Sequence, residues 1–457
     1  MLTAHLQLNR SAADELRATV SGGVALPSDE AYADACRLWN GAVQRRPAVI
    51  AFCTRPDDVA AAVRVARRHG LPLSVRGGGH DWAGRALCDG GIVVDLTGMR
   101  GVVVDPHARV ATVAGGARIK DVVAAAAGHG LVAVTGNCGA VGMAGLTLGG
   151  GYGLLSGLHG LAVDNLLGAE VVLADSRRVA AGPDEEPDLF WALRGGGGNF
   201  SVVTSMRIRL HEVRDLLGGV VMYPWGEAEN VLRRYATFIA TTPDEFGALA
   251  VMMSGLDGEP GILLAPLWSG DGPSGERVME GLQEALGTPQ LAQLGPVTYS
   301  DTIAQFDAWV VDGRHWELRT RWLPGLAPGA VAAMVAAVAR KTSPYSTVTM
   351  HHFHGAPARI APDATAFGMR REHFMVEIIA AWEPGEDDGS AHRRWAEKLW
   401  RDLAPFALPG GYANLLGPDD REQAADAYGG NAVRLRTLKR RFDPNGVFAS
   451  AIPLPEG

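Results

Sequence analysis

The sequence predicts an α+β fold in two domains, and three observations carry that prediction. Short β-rich segments alternate irregularly with helical stretches in the first half, unlike a regular βαβ repeat. The same half holds three dense glycine clusters, SVRGGGH (74–80), GNCGAVGMAGLTLGGGYG (136–153) and RGGGGNF (194–200), out of 59 glycines in all. From about residue 214 the texture changes to longer helical patterns interleaved with alternating strands.

Taken in order, strands are expected over 47–53, 91–96, 109–115, 131–135 and 168–175, from their β-branched content and flanking turn residues. A helix over 56–69 is expected to be capped by Thr54, and an Ala-rich one covers 119–129. In the second half, helices are expected over 227–241, 275–286, 328–341 and 389–403, and strands over 248–254, 261–267, 347–354 and 373–382. That pattern describes a sheet covered on one side by helices. The run YANLL (412–416) is strand-like, which would place Tyr412 and Asn414 on one face.

Composition narrows the function. The 457 residues carry 42 Lys and Arg against 50 Asp and Glu, a net charge of −8, with no basic stripe of the kind nucleic acid requires. No apolar run approaches the ~18 residues of a membrane span, and the first residues lack a basic region followed by an apolar one, so a cytoplasmic, soluble protein with no membrane partner is expected. Four cysteines without a CxxC pair or a Cys/His cluster argue against a disulfide framework and a structural metal. Oligomeric state is not readable.

Glycine-rich turns offer consecutive backbone N–H groups, which form concavities suited to a pyrophosphate. Neither GxxxxGK[ST] nor a GxGxxG between strand and helix is present, so the usual nucleotide fingerprints do not apply. Tight turns alone would explain any one cluster. Three together, one ending in His80 and another carrying Cys138, point to a bound dinucleotide.

The segments SVRGGGHDWAGRALCDGGIVVDLTGM (74–99), TGNCGAVGMAGLTLGGGYGLLSGLHGLAVDNLLGAEVVLADSRRV (135–179) and PDLFWALRGGGGNFSVVTSM (187–206) closely resemble the FAD-linked oxidases of the berberine bridge enzyme group, within the vanillyl-alcohol-oxidase-like superfamily. YANLL and FDPNGVF (442–448) look like that family's closing elements. The resemblance spans nearly the whole chain and is looser in the middle. It implies a PCMH-type FAD-binding domain of two small α/β subdomains over 1–213, a substrate-binding domain over 214–408 with an antiparallel sheet covered by helices, and a segment over 409–457 returning to the FAD-binding domain.

Carried over residue by residue, the resemblance implies that Arg76, Gly77, Gly78, Gly79 and His80 surround the FAD pyrophosphate, with His80 bonded to the flavin 8α-methyl. Neutral imidazole, available near neutral pH, is the nucleophilic form. Asp81 would orient a ring nitrogen or cap the turn. Cys138 stands where many relatives carry a second link to the flavin; that attack requires a thiolate, and a buried, unlinked thiol is the alternative. Gly139 replaces the frequent proline and Leu146 the histidine of doubly linked relatives. Val141, Gly142, Gly145, Gly150, Gly151 and Gly153, then Asn199, Phe200 and Val202, then Tyr412 and Asn414, complete the expected FAD contacts.

A base is needed on the substrate side. Alternation along 347–354 puts His352 and His354 on one face and His351 and Phe353 on the other, and the first pair is expected to serve the substrate. An exposed, His-rich edge strand is the alternative. Tyr152 and Glu377 are further catalytic candidates, and Trp316, Arg319 and Arg321 candidate pocket walls. Phe190, Trp191 and Trp382 fall at core spacings. The expected activity is FAD-dependent removal of a hydride from a C–H next to O or N of a small molecule such as an alcohol, sugar or amine of secondary metabolism, with O2 as acceptor and H2O2 as product. A dehydrogenase using another acceptor and a flavin-bearing antibiotic-binding or resistance protein are the alternatives.

Overall fold

The computed structural model describes residues 2–213, 215–255, 258–385 and 387–455, with side-chain burial from Arg10 onward; residue 214, where the second domain was expected to begin, lies outside them. At the centre of a four-stranded sheet, Val49–Phe52 and Ile92–Asp95 run parallel, flanked by Val24–Ala25 and Leu73–Arg76. Ile92, Val93 and Val94 are fully buried, as a parallel strand covered on both faces requires.

The helix Pro56–His69 packs beside this sheet. Proline in its first turn, Asp57 and Asp58 there, three basic residues in the last turn and Gly70 at φ 61 all favour these bounds. Thr54 does not cap it, contrary to expectation. Arg55 occupies the N-cap, and the buried Asp58 carboxylate instead receives the backbone N–H of Thr54 at 2.9 Å and of Ser21 at 3.0 Å. Tying two loops to one helix start favours a carboxylate, with its several acceptor sites, over a hydroxyl.

A six-stranded sheet follows, in which the twelve-residue strand Ser201–Glu212 pairs with Val110–Ala114, Leu131–Ala133 and Leu166–Leu173. The third sheet is antiparallel and seven-stranded, ordered Leu291–Pro296, Leu217–Pro224, Pro260–Trp268, Phe246–Ser254, Thr347–Phe353, His373–Trp382, His315–Leu323. Helices Ala228–Ile239, Gly272–Leu286, Pro328–Val338 and Ser390–Asp402 cover one face, burying Tyr235, Trp268, Met334, Trp382 and Leu399 in a common core. From the other face Leu249, Val251, Leu263 and Ala265 join the core beneath the six-stranded sheet. The candidate site lies in that second seam.

The last segment ties the two halves together. Ser450 bridges to Ser74, Asn199 donates to the Ile452 carbonyl at 2.8 Å, and Gln423 donates to the Thr320 carbonyl at 3.0 Å. YANLL is a single 3-10 turn, Ala413–Leu415, and not a strand. Tyr412 and Asn414 still meet, because the turn folds the Asn414 amide back onto the Tyr412 oxygen at 2.9 Å.

Candidate active site

A cavity of about 490 Å³ runs along the seam from the glycine clusters to the open face of the seven-stranded sheet. Its first part is built from backbone. A Cβ on Gly78 would sit 2.3 Å from the Gly142 nitrogen, so the first two clusters touch main chain to main chain. Among the described residues, the N–H groups of Gly77, Gly78, Gly79 and His80 find no internal acceptor. Buried Asn137 and Ser201 side chains, also without partners, stand in the same wall. Free donors arrayed on a concave backbone are what a diphosphate ester requires.

His80 lines this part, stacked on Trp39 with ring centroids 4.2 Å apart, and Trp39 stacks in turn on Trp316 at 4.6 Å. Burial pushes the His80 pKa down to about 4, so the imidazole is neutral. Its Nε2 lies 3.7 Å from the Cys138 Sγ. Burial, with a contribution from Asp307, pushes the Cys138 thiol up to about 12, so it is protonated in the free chain, and a link through it would need an electron-poor ring bound beside it to favour the thiolate. Gly139 donates its N–H to Asp307 at 2.6 Å, a bond that the proline frequent in relatives could not make.

Several expected cofactor residues line the cavity: Gly77, Gly78, Gly79, His80, Asp81, Cys138, Val141, Gly142, Gly145, Val202, Tyr412 and Asn414. Others support it from behind. The Arg76 guanidinium donates to the Ala35 and Arg37 carbonyls and pairs with Asp95, which holds the loop and leaves it turned from the cavity. Asn199 is spent on the Gly196 and Ile452 carbonyls, and Phe200 is wholly inside the apolar core. Gly150 and Gly151, at φ 138 and 86, make the turn that delivers Tyr152, while Gly153 packs against the Thr135 carbonyl.

The second part of the cavity is built from side chains. Leu249, Val251, Met253, Met375, Ile379 and Leu318 form an apolar wall with Phe306, Trp309 and Trp316. Its polar groups are few. Glu377 faces it with Oε1 3.4 Å from the His351 Nε2. The expectation for the neighbouring histidines is reversed: His352 and His354 lie outside the lining, stacked on each other at 4.4 Å, with His352 on Phe374 and His354 against Gly157. Their strand is also interior and not an edge, paired on both sides. The pleat sends His351 to the seam and its neighbours to the opposite face, and burial pushes the His352 pKa down to about 3. Arg319 and Arg321 likewise point away, to Asp420 and to the Trp400 carbonyl, and only Trp316 walls the cavity.

Two tyrosines close the cavity where its parts meet, with ring centroids 4.8 Å apart. The Tyr412 oxygen accepts the Gly151 N–H at 2.8 Å and the Asn414 Nδ2–H at 2.9 Å. The Leu146 carbonyl, 3.2 Å from the same Nδ2, fixes which end of the amide points there. The Tyr152 hydroxyl lies 2.9 Å from the His373 Nε2. Sequence reasoning missed His373, Trp39 and Asn40, whose amide ties the Trp82 carbonyl to both backbone groups of Trp316. None sits in a glycine motif, and of the three only His373 falls on an expected strand, at its first residue.

Comparison with known proteins gives one answer. Residues 47–182 match a family model described as an FAD binding domain, and 411–455 match one described as berberine and berberine like. The chain is 29% identical to the uncharacterized FAD-linked oxidoreductase YvdP of Bacillus subtilis over 448 residues, 95% of this chain and 98% of that one. It is 43% identical to (R)-6-hydroxynicotine oxidase of Paenarthrobacter nicotinovorans over 206 residues, 45% of each chain. The crystal structure of 6-hydroxy-D-nicotine oxidase from Arthrobacter nicotinovorans matches with a TM-score of 0.87 at 30% identity, covering 95% of this chain and 98% of that one. With its glycine cradle, its seven-stranded sheet and its closing segment all accounted for, the chain belongs to the berberine bridge enzyme-like family of FAD-linked oxidoreductases.

Proposed function

We propose that this protein oxidises a small, largely apolar molecule at a C–H next to oxygen or nitrogen, holds FAD covalently through His80 and Cys138, and passes the electrons to O2 with release of H2O2. The observation that carries the reading is the continuity of one cavity from the backbone cradle to the wall bearing Tyr152, Tyr412 and Glu377. The cradle fits FAD: its unpaired N–H groups suit the pyrophosphate, and the partnerless Asn137 and Ser201 offer further hydrogen bonds. When bound, FAD supplies the redox chemistry, taking a hydride from the substrate and giving the electron pair to the acceptor.

The chain's own residues then position and exclude. The apolar wall holds the body of the substrate and keeps water out, which strengthens each polar contact inside. Tyr152 offers its oxygen as a hydrogen-bond acceptor to the hydrogen on the substrate heteroatom, while Tyr412 offers a hydroxyl whose oxygen is already held by two donors. Glu377 and His351 supply a second polar anchor on the sheet.

Intact mass of the denatured chain tests attachment: wild type, His80→Ala and Cys138→Ala each heavier by one FAD, with the double variant at polypeptide mass. A wild type at bare mass overturns covalent attachment. Anaerobic bleaching of the flavin by a panel of alcohols and amines, then peroxide on admitting O2, tests the reaction. A chain that no compound reduces, or that returns no peroxide, overturns the corresponding part.

A further inference from the structure

We propose that His373 is a positioning residue that sets the hydrogen-bond polarity of the Tyr152–Tyr412 couple, so that the site selects a hydroxyl group over ethers and amines. The inference rests on the oxidation proposed above and narrows its substrate to alcohols.

The argument is one of donors and acceptors. His373 Nδ1 lies 2.7 Å from the Arg371 carbonyl, which can only accept, so Nδ1 carries a hydrogen. His373 is 1% exposed, and burial holds its pKa down at about 4, so the ring is neutral and Nε2 is a bare lone pair. The Tyr152 hydroxyl, 2.9 Å away, must therefore donate to it. That commits the Tyr152 hydrogen behind the cavity wall, and the tyrosine presents only an acceptor to the substrate.

Tyr412 is committed the other way. Its oxygen accepts from Gly151 and Asn414, and among the described residues its own hydrogen has no acceptor. It presents a donor. A substrate heteroatom that meets both tyrosines in the cavity they line must give a hydrogen to Tyr152 and take one from Tyr412, which an alcohol does through one atom. An ether has no hydrogen to give, and an aliphatic amine is a cation near neutral pH with no lone pair to offer. Either leaves a buried tyrosine unpaired, the kind of mismatch by which polar sites reject analogues.

The test uses FAD-loaded protein and three probes that suit the apolar wall: 1-phenylethanol, its methyl ether and N,N-dimethyl-1-phenylethylamine. Anaerobic titration followed by flavin absorbance gives an apparent Kd and a bleaching rate for each. Wild type is expected to favour the alcohol over the ether by at least about tenfold in Kd. The ratio should fall to within about twofold of unity in His373→Leu and in Tyr152→Phe, and recover in His373→Gln, whose amide oxygen restores an acceptor. If His373→Leu loses FAD, Tyr152→Phe and His373→Gln decide. A wild-type ratio near unity, no measurable binding of the alcohol, or a ratio unmoved in Tyr152→Phe overturns the inference. Bleaching by ether or amine as fast as by alcohol overturns it while leaving the parent oxidation intact; no bleaching by any probe or by the wider panel overturns both.

Discussion

The two parts of the cavity are specified in different ways. Around the glycine clusters the wall is main chain, and its shape follows from where a Cβ is missing: Gly78 against Gly142, or Gly149, where a Cβ would lie 2.0 Å from the Asn414 oxygen. On the sheet the wall is side chain, and its content follows from which way each residue of a strand faces, as with His351 turned to Glu377 and His352 turned to Phe374. Close approach of backbones leaves a compositional mark. Strand parity leaves one that a single step in register inverts.

The largest expected effect is at the junction of the two parts. Arg370, 3% exposed, forms a two-pronged pair with Asp164 at 2.9 and 2.7 Å and donates to the Phe367 carbonyl, which holds the Phe367 ring against Tyr152. Arg370→Met strands a buried carboxylate and should cost ~3–5 kcal/mol in the unfolding free energy read by urea denaturation. A loss below about 1 kcal/mol would show that the two parts are stabilised independently.

Acid comes next. His373 has its pKa held at about 4 by burial, below the ordinary 6.5, so the unfolded chain takes up a proton first as pH falls. Its stability contribution is complete above about pH 6.5 and is lost between there and about pH 4, amounting to ~3 kcal/mol for this one imidazole. His373→Gln should flatten the pH profile of unfolding in that window. An unchanged slope would place the acid sensitivity elsewhere.

Within the cradle, the glycines separate by what a methyl group would meet. Gly78→Ala presses on the Gly142 backbone and should cost ~1–3 kcal/mol, together with FAD content measured by absorbance. Gly145 also lines the cavity but has nothing within 4 Å of its would-be Cβ, inside the helix Met143–Gly149. Gly145→Ala should therefore raise stability by ~0.5–1 kcal/mol. A fall in FAD content in that variant alone would show that Gly145 touches the cofactor and not the protein.

What could be read beforehand follows the same division. The glycine clusters, the placing of His80 and Cys138 on the cavity they build, and the pairing of Tyr412 with Asn414 were legible because motif and composition carry them. Even so, the Tyr412–Asn414 contact comes from a 3-10 turn and not from strand alternation. His373 was not legible: its role comes from Tyr152, 221 residues away in sequence, and from a carbonyl two residues back. Trp39 was missed for the same reason, since only the fold stacks it between His80 and Trp316. Arg76 holds the first glycine loop from behind, and a loop that needs a guanidinium to hold it looks the same in sequence as one that offers it to a phosphate.

The smallest effect bears most directly on strand parity. His352 Nδ1 is buried without a partner, and its ring stacks on Phe374 at 4.9 Å. His352→Phe keeps an aromatic ring in the stack and removes a polar atom that no protein group satisfies, so stability should stay within ~1 kcal/mol of wild type or rise. Flavin bleaching by an alcohol that reduces the wild type should stay within about twofold, because nothing on that face reaches the cavity. His351→Leu, one residue earlier, removes the partner of Glu377 from the cavity wall and should raise the apparent Kd of the same alcohol by about tenfold at nearly unchanged stability. If the two variants exchange phenotypes, the strand is out of register by one residue, and every side chain assigned to the sheet wall from Thr347 to Phe353 changes face with it.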